Sequence, residues 1–106
     1  MAWVYLVVAG ILEIVWAYTM KLSQGFTRFG PTVVTLIAML ASFGLLSISM
    51  KTLPLGTAYM VWTGIGALGA FAVGVAALGE PLSTGRLVAA ALILAGLVLM
   101  KASSAA

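Results

Sequence analysis

Cysteine and histidine are both missing from this 106-residue chain. Without cysteine there are no disulfides and no thiolate metal sites, and without histidine the commonest metal ligand is gone. No metal and no cofactor is therefore expected; no enzyme activity is expected of the chain either. Charge is nearly as scarce. Charged residues make up 7% of the chain, where a soluble domain carries about 25%. Acids number only two, Glu13 and Glu80, and the five bases leave a net charge of +3. That is too sparse and scattered for a nucleic-acid footprint. With 64% hydrophobic residues, the chain has too little polar surface to coat a globule in water. Hydrocarbon is the solvent that suits it.

The seven charges divide the sequence into apolar runs. Met1 to Met20 contains only Glu13, and neither Phe29 to Met50 nor Thr52 to Gly79 contains any charge. A helix rising ~1.5 Å per residue needs roughly 20 residues to cross a ~30 Å hydrocarbon core. The run Leu87 to Met100 is shorter, and spans only if Arg86 and Lys101 extend their heads to opposite interfaces. The expected fold class is all-α integral membrane, with four transmembrane helices at about 2–20, 31–50, 56–78 and 85–101 in a single membrane domain, 1–106. The first run makes a poor signal peptide: it lacks a basic leader, is long, and has no good cleavage site. Gly25 is a plausible stop for the first helix, with Pro31 near the start of the second. Pro54 breaks the chain between helices 2 and 3, and Ser83 or Thr84 could cap helix 4.

Orientation is nearly undecided. The N-terminus, Lys51 and Lys101 fall on one side; Lys21, Arg28 and Arg86 fall on the other. Basic residues normally mark the cytoplasmic side. Here either a slight bias fixes one orientation or the chain inserts both ways. Four helices leave little interior, so one copy can hardly enclose a path across the bilayer. Many transporters place their site between inverted repeats near the midplane. Two oppositely inserted copies would supply that symmetry, which motivates an antiparallel homodimer.

Glu13 lies ~18 Å along the first helix at ~1.5 Å per residue, around mid-bilayer. An ionised carboxylate there costs several kcal/mol unless paired or hydrated, and intramembrane acids are functional by default. The bland alternative is a protonated helix-packing residue. No base lies inside a span to neutralise it, which leaves protons or a cationic ligand. Gly10 and Trp16 share its helix face; Gly10 would leave space beside the carboxylate and Trp16 would set an indole against it. Trp3 and Tyr5 read as interface anchors. Ser42, Tyr59 and Trp62 fall at a similar depth. The alternatives are a back-bond to its own helix for Ser42 and a belt position for Tyr59. Carboxylate plus aromatic faces is the chemistry of a cation site. Gly64 and Gly66 are hinge candidates in helix 3, Gly69 and Gly74 packing positions. Helix 4 reads as a packing or dimer helix without chemistry.

Gly10-Ile-Leu-Glu13-Ile-Val-Trp16-Ala17, Met20-Lys-Leu-Ser23-Gln-Gly25-Phe26, Ala41-Ser42-Phe43, Leu53-Pro-Leu-Gly56-Thr-Ala-Tyr59 and Trp62-Thr-Gly64-Ile-Gly66-Ala together resemble the small multidrug resistance family. Trp16 and the Trp62 motif resemble its guanidinium exporter subtype. The resemblance implies a proton-coupled antiporter of guanidinium in the cytoplasmic membrane, working as an antiparallel dimer. Glu13 would bind protons or guanidinium, Ser42 and Tyr59 would hold or switch its carboxylate, and the two tryptophans would flank the planar cation. One departure is Gly44, where the family would place an aromatic; a smaller residue would widen the opening toward lipid. Guanidinium is planar and its N–H edges meet carboxylates in a bidentate arrangement. Two facing Glu13 groups would repel and titrate as a coupled pair, so proton and cation compete for one site. Two other readings stand beside this one: a broader exporter of quaternary ammonium drugs, and a non-transporting assembly subunit in which Glu13 glues helices.

Overall fold

The computed structural model describes residues 1–103. It contains four α-helices: α1 (Ala2–Leu22), α2 (Phe29–Ser49), α3 (Leu55–Leu78) and α4 (Thr84–Ser103). All four are long and apolar enough to cross a membrane.

The helix ends follow from local chemistry. After α1, Gln24, Gly25 and Phe26 all take positive φ, at 50°, 74° and 66°. This left-handed run turns the chain within a few residues, and Gly25 accommodates it without a Cβ penalty. Ser23, fully buried, ties the turn together. Its hydroxyl donates to the Met20 carbonyl at 2.6 Å and accepts the Phe26 amide at 3.0 Å. Pro31 occupies the first turn of α2 and Pro54 caps α3, positions where the missing N–H costs nothing. Gly79 closes α3 in the left-handed conformation at φ 67°. Of the two expected caps for α4, Ser83 takes the role, accepting the Arg86 amide at 3.2 Å; Thr84 is already helical.

The packing order differs from the chain order. α1 lies between α2 and α3, α2 and α3 barely meet, and the α4 backbone approaches only α3. The molecule measures 43 × 34 × 16 Å. Packed helices sit 8–10 Å apart, so the shortest dimension accommodates two at most, and no path across a bilayer is enclosed. Leu6, Ala9, Leu46, Leu53, Ala58, Val61 and Trp62 form the core toward the N-terminal end. Trp3 packs against that core with its indole N–H buried and unbonded, so it is more than an interface anchor. The Lys101 ammonium sits 4.4 Å over its ring. That contact brings the start of α1 and the end of α4 to the same end of the molecule.

Close α1–α3 packing depends on small residues. A Cβ at Gly69 would collide with the Ile14 side chain, and one at Gly10 would come within 2.7 Å of Ile65. No described residue of α4 is buried, which leaves its apolar surface for lipid or for another chain. Gly69→Val should overpack the α1–α3 seam by about 1–3 kcal/mol. A thermal melt of the purified protein in detergent checks this; the melting temperature should fall, whereas Gly85→Ala, which meets nothing within 4 Å, should leave it unchanged.

Candidate functional site

Glu13 stands on the middle helix, half-buried and turned toward α3. Its carboxylate rests directly on Gly66, where any Cβ would collide with it. One carboxylate oxygen, Oε1, is sealed from solvent and has no hydrogen-bond partner, and among the described residues the group has no ion pair. In hydrocarbon an unpaired carboxylate charge is costly, which favours a nearby cation or proton as its partner. Gly66 is therefore the residue that lets the acid sit between two helices.

The space beside Gly10 is taken by Ile65 of α3. Gly10 brings the helices together at the level of the acid, and here opens no room beside it. Gly64 faces Leu97 of α4 at close range. α3 is unbroken through both Gly64 and Gly66, each set against a neighbour.

Ser42 is fully buried and makes a link that periodicity alone does not reveal. Its hydroxyl donates to the Ala9 carbonyl at 2.7 Å and accepts the Trp62 indole N–H at 3.0 Å. This one oxygen joins α1, α2 and α3. It touches neither its own helix's carbonyls nor the Glu13 carboxylate. In an α-helix the Ala9 carbonyl also receives the amide of Glu13, so Ser42 holds the turn from which the acid projects. Polar interhelical bonds in membranes average about 0.6 kcal/mol. Their value here is positional, fixing Trp62 relative to the acid's helix.

The aromatic groups form a chain. The rings of Trp16 and Phe43 lie 6.3 Å apart at 72°, Phe43 and Trp62 5.8 Å apart at 58°, and Tyr59 and Trp62 5.6 Å apart at 61°. These are edge-to-face and tilted contacts of the kind aromatic pairs prefer. Tyr59 and Trp62 meet directly, and Trp16 joins them through Phe43, which was not among the residues singled out as site-forming from sequence. Its position one after Ser42 was the available signal, since a link at Ser42 carries its neighbour to the same interface. The Trp16 indole N–H is buried and unbonded, a second polar atom near the acid without a partner. Tyr59 is 53% exposed and makes no hydrogen bond from its hydroxyl. Beside Phe43, a Cβ at Gly44 would meet nothing within 4 Å, so Gly44 lies on the outer surface of the helix.

Chemically the arrangement is an unpaired acid with an indole one turn away, continued by an aromatic row fixed to the same helix. It has the parts to bind a small cation: a carboxylate for charge and ring faces for its planar surface. No group of three potential metal ligands occurs among the described residues.

Comparison with known proteins gives concordant results. A family model described as Small Multidrug Resistance protein matches residues 1–93. A protein named Guanidinium exporter from Yersinia pseudotuberculosis is 52% identical over 104 residues, covering 98% of this chain and 100% of its own. Proteins of the same name from Citrobacter freundii and Salmonella typhimurium are each 50% identical over 104 residues, covering 98% of this chain and 99% of theirs. With four helices of membrane-crossing length, the chain is a multi-pass membrane protein of a transporter kind.

Ser42→Ala would leave the Trp62 indole N–H buried without an acceptor, at a cost of about 1–3 kcal/mol. Tryptophan fluorescence of the purified variant should report a loosened Trp62, and its melting temperature should fall. Unchanged emission and melting temperature would mean that the link does not hold Trp62 in place.

Proposed function

This chain belongs to the small multidrug resistance family, and on that footing we propose that it exports guanidinium from the cell in exchange for protons. The observation that carries the reading is the Glu13 carboxylate, set on Gly66 with one oxygen sealed and unpartnered. The names of the relatives at half identity over nearly the full length support the choice of substrate.

In this account protons and guanidinium take turns at Glu13. Guanidinium offers N–H edges to the carboxylate in a bidentate pair, and Trp16 and Trp62 face its planar surface. Because the acid has no fixed counter-charge, it cannot release one cation into hydrocarbon without taking up another. Exchange follows if the protein changes access only when occupied. Ser42 acts through the Ala9 turn, holding the backbone from which the carboxylate projects, and Tyr59, exposed at the far end of the aromatic row, is free to reach the acid when the helices move. Gly64 and Gly66 are the points where α3 would bend between the two states, since neither carries a side chain to stop a neighbour from sliding.

The working unit in this account is an antiparallel homodimer in the cytoplasmic membrane. Two features support it: the shallow molecule encloses no path of its own, and α4 presents an unburied apolar surface. Two oppositely inserted copies would bring two Glu13 groups to one central site and make the two membrane faces equivalent. The near balance of basic residues between the two sides allows both insertions.

Proteoliposomes loaded with guanidinium and given an inward proton gradient should release it while protons enter, read by a pH-sensitive dye inside the vesicles. Glu13→Gln should abolish the flux while chemical crosslinking still captures the dimer. Flux of bulky aromatic or quaternary ammonium ions equal to that of guanidinium would favour the broader exporter, and a Glu13→Gln protein that falls to monomers would favour helix glue.

A further inference from the structure

The chain has two acids, and both rest on glycines of the same helix. Glu13 lies on Gly66. Glu80 folds its carboxylate onto Gly74, and its amide donates to the Gly74 carbonyl at 3.0 Å. The two glycines are separated by two turns, roughly 12 Å at ~1.5 Å per residue. On α1 the facing positions run Glu13, Ala17, Lys21 at helical spacing. The acids therefore mark two ends of one α1–α3 seam.

At the Glu80 end of this seam lies a cavity of about 220 Å³ lined by Ala17, Tyr18, Lys21, Ala70, Gly74 and Glu80. At ~30 Å³ per water it has room for several waters or a small hydrated ion. Lys21 shares this space with Glu80, yet the two form no ion pair. The other charged side chains of that end are basic: Arg28, and Arg86 standing over the Phe71 ring at 5.6 Å. Glu80 is thus the one anionic side chain between that surface and Glu13. The C-terminal end of α3 beside it adds the partial negative charge of its free carbonyls.

We propose that Glu80, at the cavity it shares with Tyr18 and Lys21, is a second and weaker binding site for the same class of planar guanidinium-type cation, placed at the mouth of the seam that leads to Glu13. The proposal rests on the reading of Glu13 as the transported cation's site. The Glu80 carboxylate receives the N–H edge of the cation in place of water, and the Lys21 ammonium opposes it across the cavity. That opposition keeps the site weak, so the ion moves on to the deeper carboxylate. Glu80 raises the local concentration of cation at a face that is otherwise basic.

The test uses the full-length protein in lipid nanodiscs and guanidinium chloride. With the deep site removed by Glu13→Gln, NMR line broadening of labelled guanidinium should still report weak binding. That residual binding should vanish in Glu13→Gln/Glu80→Gln and strengthen in Glu13→Gln/Lys21→Gln. In transport by otherwise unaltered protein, Glu80→Gln should raise KM by about fivefold, close to 1 kcal/mol, with kcat retained and the melting temperature unmoved, and Glu80→Asp should restore most of the KM. Residual binding that is absent from Glu13→Gln, or that survives removal of Glu80, would overturn the proposal. So would a Glu80→Gln effect on kcat and melting temperature with KM unchanged, which marks a merely structural acid. A wild-type protein that does not transport guanidinium at all would instead overturn the underlying reading of Glu13.

Discussion

A carboxyl group surrounded by hydrocarbon and helices must settle its charge with whatever mobile cation reaches it, because nothing fixed nearby can do so. Glu13 is in that position. The bases of this chain all sit at helix ends or in loops, and the sealed Glu13 oxygen finds no hydrogen bond among the described residues. The rest of the structure is arranged around accommodating this group. Gly66 gives it a place between α1 and α3, Gly10 lets Ile65 close the seam beside it, and Ser42 clamps the turn below. A protein that kept the acid for packing would be expected to satisfy its oxygens. This one leaves an oxygen and the neighbouring Trp16 indole N–H unbonded.

The thin form of the molecule fits the proposed reading, in which the site exchanges with both membrane faces. Here α1 carries the acid between α2 and α3, while α4 stands apart along α3. The aromatic row from Trp16 through Phe43 and Trp62 to Tyr59 crosses three helices and ends at an exposed ring. In the proposed antiparallel dimer, the second copy would cover this open end.

Much of this could be read from residue order, and the reason is the sparseness of charge. With seven charged positions in the chain, the apolar runs between them measure themselves against a bilayer, and a lone mid-helix acid has few bland explanations. The motifs around Glu13, Ser42, Tyr59 and Trp62 pointed to the family. What sequence could not convey was how the helices meet. Helices that are apolar on nearly every side do not declare which face is buried. Hence Gly10 was read as leaving space beside the carboxylate, although Ile65 packs against it, and Phe43 was not counted with the site although it joins the two tryptophans. Ser42 was weighed as a back-bond or as a carboxylate partner. Its hydroxyl reaches instead to the Ala9 carbonyl of another helix, a pairing that depends on interhelical register. The Lys101 ammonium over the Trp3 ring, a contact between the first and last helices, was likewise not legible from residue order.

If a single carboxylate serves both ions, binding of one must displace the other. The direct measurement is the apparent affinity of the purified protein for guanidinium across pH, with proton release followed calorimetrically in buffers of different ionisation enthalpy. The account predicts that affinity weakens steadily as the medium is acidified, that saturating capacity stays constant, and that protons are released as guanidinium binds. Affinity that is the same at every pH, with no proton released, would contradict it.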